Sequence, residues 1–129
     1  MNIKLILLLI LIPFFAYSHE VNIEDKSVEK IVKERMANMS KIKAYSSKMY
    51  PLAMASEFDE LKLLNEELLH AAKDFKELFP DGSQGGKASE LIWEDRETFE
   101  LFNDNFIKSI EDIGLSIENQ DSVSLMENF

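Results

Sequence analysis

The stretch ELFPDGSQGGKASELIWEDRETF, residues 77–99, decides how the chain is organised. It closes an apolar segment at Phe79-Pro80, crosses a loop with three of the four glycines (Gly82, Gly85, Gly86), and resumes apolar spacing at Ile92, Trp93 and Phe99. Proline lacks an N–H and restricts the residue before it, so a helix stops there. Glycine allows backbone turns that a side chain would oppose. The stretch therefore reads as a joint between two helices, and the flanking segments must show what those helices bury.

Working upstream, Phe58, Leu61, Leu64, Ala72, Phe75 and Phe79 recur at helical spacing, with Leu68 and Leu69 also eligible for the stripe. Ser56, with Asp59 three residues on, is a candidate N-cap for this helix. An earlier helix runs from Ser27 to Met49, and stepping alternately by four and three gives Val28, Val32, Arg35, Met39, Ile42, Ser46 and Met49. Pro51 is expected to end or break it. Downstream, a third helix is predicted to start near Ser89 and to run unbroken through Ile92, Phe99, Phe102, Phe106, Ile110, Ile113 and Ile117. Asp121 then caps a short fourth helix with Val123, Met126 and Phe129 as its apolar positions. No stretch sustains strand alternation. The expected fold is all-α, an antiparallel up-down four-helix bundle with its fourth helix truncated. That last helix spans ~13 Å against ~30–40 Å for its partners, so apolar side chains facing the gap stay wet. Each forfeits ~1.5–3 kcal/mol, and the domain is either marginal or borrows a surface from a partner.

Composition narrows the setting. Residues 1–18, MNIKLILLLILIPFFAYS, combine a lysine, an apolar run and Ala16-Tyr17-Ser18, the pattern of a cleaved signal peptide. The other reading, a retained anchor, meets an apolar run that is short beside the ~20 residues of a span. The domain is then 19–129, placed outside the cytoplasm and free of the membrane after cleavage. Lys and Arg total 14 against 24 Asp and Glu, which argues against nucleic acid as a partner. With no cysteine, no disulfide staples the chain, and an apolar core must hold it. The sequence has no metal-spaced histidine pair, no nucleophile paired with a histidine on one face, and no phosphate-gripping glycine motif, since GSQGGK lacks the register. These absences point away from an enzyme.

Arg35 with Met39 in the first helix, ELFP followed by DGSQGG, and LIWEDRETF together resemble the class II c-type cytochromes, the cytochrome c-prime group and its low-spin relatives, over about residues 28–129. The resemblance implies a periplasmic bundle holding covalently attached haem c, acting in electron transfer or gas binding. A redox partner protein is implied too, and a homodimer is an assembly open to the chain; the acidic runs such as Glu57-Asp59-Glu60 read first as solvated helix faces, with docking of a basic redox partner as their second reading. It implies Arg35 contacting a haem propionate, Met39 on the distal side as a candidate iron ligand, Met36 lining the pocket and Trp93 abutting the porphyrin. Each residue also has a plainer reading. The Arg35 stem can pack on the seam with its head in solvent or on a neighbouring glutamate. Met36 and Met39 can fill core gaps, and Trp93 can plug the bundle end with its N–H on a loop carbonyl.

Two departures qualify the resemblance. DSVSLMENF, residues 121–129, looks like the start of the helix on which the family carries C-x-x-C-H, and that motif is absent. Lys87 stands about where the family frequently has an acid. The only histidines are His19, at the expected mature terminus, and His70, which falls between Leu68 and Ala72 off the stripe. Three accounts stay open: an incomplete or frame-interrupted gene product, a haemless relative, and a variant holding haem without thioethers. The corresponding functions are a haem-binding electron-transfer protein that cannot attach haem covalently, or a haemless periplasmic bundle serving as a structural or interaction module.

Overall fold

Apolar residues three and four apart commit most of the chain to helix, and the computed structural model, which describes residues 27–129, contains among them five helices and no strand. These are α1 (Val28–Met54), α2 (Phe58–Glu77), the single turn α3 (Leu91–Glu94), α4 (Arg96–Glu118) and the short α5 (Ser122–Glu127). The signal-peptide expectation for residues 1–18 and the start of the 19–129 domain lie outside the described residues. α2 packs against both α1 and α4, and α5 touches α1 and α4 at one end. The long helices alternate in direction: Arg35 near the start of α1 bonds Leu78 just past α2, and Lys76 near the end of α2 pairs with Asp104 near the start of α4. The result is an antiparallel helical bundle whose fourth position is filled only by α5.

The core joins Ile42, Met49 and Ala53 of α1, Leu61, Leu68 and Ala72 of α2, Ile110, Ile113 and Ile117 of α4, and Leu125 of α5. α1 has two apolar faces. Its buried face is Ile31, Arg35, Asn38, Ile42, Met49 and Ala53. A second strip, roughly a quarter-turn away by helical geometry, leaves Val28, Met36, Met39, Tyr50 and Met54 exposed. The predicted seam runs along the border of the two, which is why it contains both the buried Ile42 and the exposed Met39.

Pro51 does not end α1. The helix passes through it to Met54, with the ring on the exposed side, while Ala53 beyond it is buried in the core. Only the hydrogen bond to the residue four positions back is lost, and packing beyond the proline outweighs it. Ser56 is likewise not an N-cap. It adopts a left-handed φ of 56°, its N–H bonds the Ala53 carbonyl, and the Glu57 N–H bonds that of Leu52. This is a Schellman ending of α1. Gln120 repeats it at the end of α4, with φ 50° and the Asp121 N–H on the Ser116 carbonyl.

The predicted third helix is two pieces. Asp95 leaves helical geometry at φ −125°, ψ 68°, and its carboxylate accepts the Thr98 N–H at 3.2 Å. Its side chain starts α4 anew, as a competing local hydrogen bond does. Phe102, expected on the core stripe, is exposed. Asp121 does cap α5, its Oδ1 accepting from Val123 and Ser124 at 3.1 Å, but the buried apolar residue there is Leu125, while Val123 is exposed. Gly114 lets α2 approach α4: a Cβ there would lie 2.9 Å from Asn65 Nδ2, which donates to the Ile110 carbonyl.

Candidate functional site

Arg35 occupies a core position of α1 facing the end of α2, so its guanidinium is buried and must find acceptors. The joint supplies them. Nε donates to the Leu78 carbonyl at 3.0 Å, Nη2 to the Ser83 carbonyl and Oγ at 3.0 Å each, and Nη1 to the Gly85 carbonyl at 3.4 Å. The Phe79 ring lies 4.3 Å from the guanidinium carbon and the Trp93 ring 5.4 Å. Burial lowers the Arg35 pKa from its usual value; arginine nonetheless keeps its charge. Among the described residues no carboxylate pairs with it. The guanidinium therefore neither snorkels into solvent nor meets a glutamate; it straps the loop.

The rest of the loop is equally committed. Ser83, almost wholly buried, donates through Oγ to the Pro80 carbonyl at 2.7 Å, and the Trp93 indole N–H donates to the same carbonyl at 2.9 Å. Arg96 Nη2 donates to the Phe79 carbonyl at 2.6 Å. Gly86, at φ 66°, lies so close to α1 that a Cβ would sit 2.9 Å from Val32 Cγ1. Glycine is required there by both conformation and space.

Between the strapped loop and α1 lies a cavity of about 430 Å³. Its walls are Val32, Arg35, Met36 and Met39 of α1, Phe75 and Phe79 from the end of α2, residues 85–89 of the loop, and Ile92 of α3. Met36 is 60% and Met39 48% exposed, so neither is gap-filling core; both present thioethers to the open side. Thus Arg35, Met36 and Met39 share one cavity. Trp93 does not line it. It stands beyond Phe79, ring centroids 6.0 Å apart, beside a second depression formed with Lys76, Arg96 and Phe99. The contributions of Phe75, Phe79 and Ile92 were hidden in the sequence among ordinary stripe residues.

His70 is exposed on α2, its Nε2 3.8 Å from the Asp74 carboxylate, and is remote from the cavity walls. His19 lies outside the described residues. No cluster of histidine, cysteine or acidic residues among the described residues could hold a metal ion.

The family model for cytochrome c′ matches residues 30–129, most of the chain. The chain belongs to the cytochrome c′ family. No curated protein matches it. Among solved structures, one described as cytochrome c′ is 21% identical, with a TM-score of 0.75 over 80% of this chain and 85% of its own. A nitrosyl complex of a variant cytochrome c prime from Alcaligenes xylosoxidans gives 21% identity and a TM-score of 0.74 over 79% and 83%. A ferrous mutant from the same organism gives 21% and 0.75 over the same shares. At this identity these likenesses establish the bundle fold.

Cytochrome c′ proteins normally bind haem c, and the residues here fit that group only in part. Thioether attachment does not fit, because the chain has no cysteine. A histidine axial ligand does not fit the cavity either, since no histidine lines it. What fits is the lining itself: apolar walls, two thioethers and no acidic side chain. No helix among the described residues is long and apolar enough to cross a membrane.

Proposed function

We propose that this chain is a periplasmic, haem-binding electron-transfer protein of class II cytochrome type that takes haem without covalent attachment. The supporting observation is the cavity itself: in a chain of net charge −10, its lining contains no Asp or Glu and its charged members are both basic. Haem, when bound, supplies a one-electron redox centre whose potential follows ligation and burial. The chain's own residues do the rest. Val32, Phe75, Phe79 and Ile92 exclude water. Met39 would offer iron a soft thioether donor, and Met36 would cover the same wall of the cavity. Arg35 keeps the loop in shape and adds positive potential near the carboxylates. Trp93 acts from outside the cavity, bracing Phe79 and Pro80. The acidic outer faces suit a basic redox partner.

The test is expression of the chain with c-type maturation machinery, followed by haemin titration of the purified protein. A pyridine haemochrome of c type is not expected, whereas haemin should give a saturable Soret shift that Met39→Ala alters in position. A chain that leaves the haemin spectrum unchanged overturns this reading.

One observation favours a second reading, a haemless interaction module. On α4 the spacing 102, 106, 109, 113, 116 defines a strip whose far end, Ile113 and Ser116, is buried, with Asn128 Nδ2 just beyond α5 bonding Ser116 Oγ at 3.1 Å. Phe102 and Phe106 continue the strip exposed, and Met36 and Met39 are exposed on α1. Exposed apolar strips of this kind suit an amphipathic helix. Under this reading a labelled amphipathic helical peptide binds the chain, Phe106→Asp abolishes the binding, and haemin does not compete.

A further inference from the structure

We propose that Lys87, rather than Arg35, receives the carboxylate of an amphipathic anionic ligand seated in the 430 Å³ cavity. This inference rests on the haem-binding reading above and names the residue that recognises the ligand's charged edge. A guanidinium has five N–H groups, and four of those of Arg35 are committed: Nε to Leu78, two from Nη2 to Ser83, and one from Nη1 to Gly85. A carboxylate seeking the two-pronged grip that arginine ordinarily gives would have to displace at least one loop carbonyl from its donor. A backbone carbonyl so orphaned away from water is costly, which sets Arg35 against that role. Arg35 is a strut.

Lys87 is placed differently. The left-handed turns at Gly85 and Gly86 press the loop onto Val32, itself a wall of the cavity, and the next residue emerges on the cavity lip. The strapping of Leu78, Ser83 and Gly85 by Arg35 fixes that position from the other side. Lys87 is exposed, and its ammonium has no hydrogen-bond or ion-pair partner among the described residues. It is thus an uncommitted cation on an apolar cavity. In a strongly acidic molecule the remaining surface repels anions, so a local positive group decides which way a carboxylate-bearing ligand enters. The ligand class is a flat or elongated apolar body with a carboxylate at one edge, and that edge faces the 85–89 loop.

The experiment compares the full chain with Lys87→Ala and Lys87→Glu, titrating each with haemin and with its uncharged dimethyl ester, followed by Soret absorbance. Circular dichroism confirms that the helices are intact, which is expected because the side chain is exposed. Haemin affinity should fall about three- to fivefold for Lys87→Ala and about tenfold for Lys87→Glu at low salt, the scale of a solvent-accessible ion pair. The differences should close near 1 M salt, where screening reaches ~3 Å. The ester should bind all three proteins alike. If haemin binds the parent and both variants equally, this inference is overturned while the haem-binding reading stands. If the parent binds neither compound, both fall.

Discussion

A buried arginine held by backbone carbonyls, with no acid paired to it among the described residues, makes the loop its counterpart. Removing the guanidinium leaves Leu78, Ser83 and Gly85 carbonyls without their donor, at ~1–3 kcal/mol for each that stays dry. Arg35→Ala is therefore expected to lower stability in urea by about 3 kcal/mol or more. It should also red-shift Trp93 emission, because the indole is bonded to Pro80 in the same loop. Arg35→Lys keeps the charge but not the fork, and should recover less than half of the loss. At this scale the sequence was partly legible. One charge on an otherwise apolar spacing marks Arg35 as a residue with a purpose, with Met36 beside it and Met39 one turn on. Its acceptors were not legible: every residue has a carbonyl, and side-chain patterns do not say which ones a glycine-rich loop turns inward. Trp93 shows the same limit, since adjacency to Ile92 in sequence does not decide which side of Phe79 the indole takes.

Among the elements, the apolar spacings located the three long helices, whereas their ends depended on local bonds that spacing does not report. Pro51 sits where helix and core both continue, Ser56 finishes one helix instead of starting the next, and Asp95 restarts one that the spacing left whole. Gly114 looked like an incidental glycine in a helix. Gly114→Ala should gain ~1 kcal/mol of helix propensity, yet the new Cβ displaces Asn65 from the Ile110 carbonyl, which costs ~1–3 kcal/mol. A net fall in thermal stability is expected, and Asn65→Ala combined with Gly114→Ala should be less damaging than the sum of the two singles. At α5, hydrogen bonds from Ser124 hold the Asp121 carboxyl below its usual 3.8. A depressed folded pKa means that the charged form favours the folded state. Its contribution is complete above the unfolded value and is lost as pH falls through the folded one. Amide exchange at Val123 and Ser124 should therefore quicken relative to the rest of the protein below pH 3.8, and Asp121→Asn should remove that acid dependence.

For the molecule as a whole, helical spacing, the Phe79-Pro80 joint and the Asp121 cap were enough to anticipate an all-helical bundle with a short fourth member. What they did not convey is that α1 presents two apolar faces. One packs on α2, and the other lines an opening that α5 closes only at its far end, where Phe129 meets Tyr50 with ring centroids 6.0 Å apart. A single four-three stepping chose the line between those faces because it averages them. The open face also has a chemical consequence. Thioether sulfur reacts with peroxide in proportion to its access, and the resulting sulfoxide is polar and chiral. Met36, Met39 and Met54, at 60%, 48% and 63% exposure, should take up oxygen well before Met49 at 1%, an order that peptide mass spectrometry after brief peroxide treatment can read. Oxidation would then make the exposed face of α1 polar and leave the buried packing intact, so the cavity wall would change character while the protein still melts as a folded bundle.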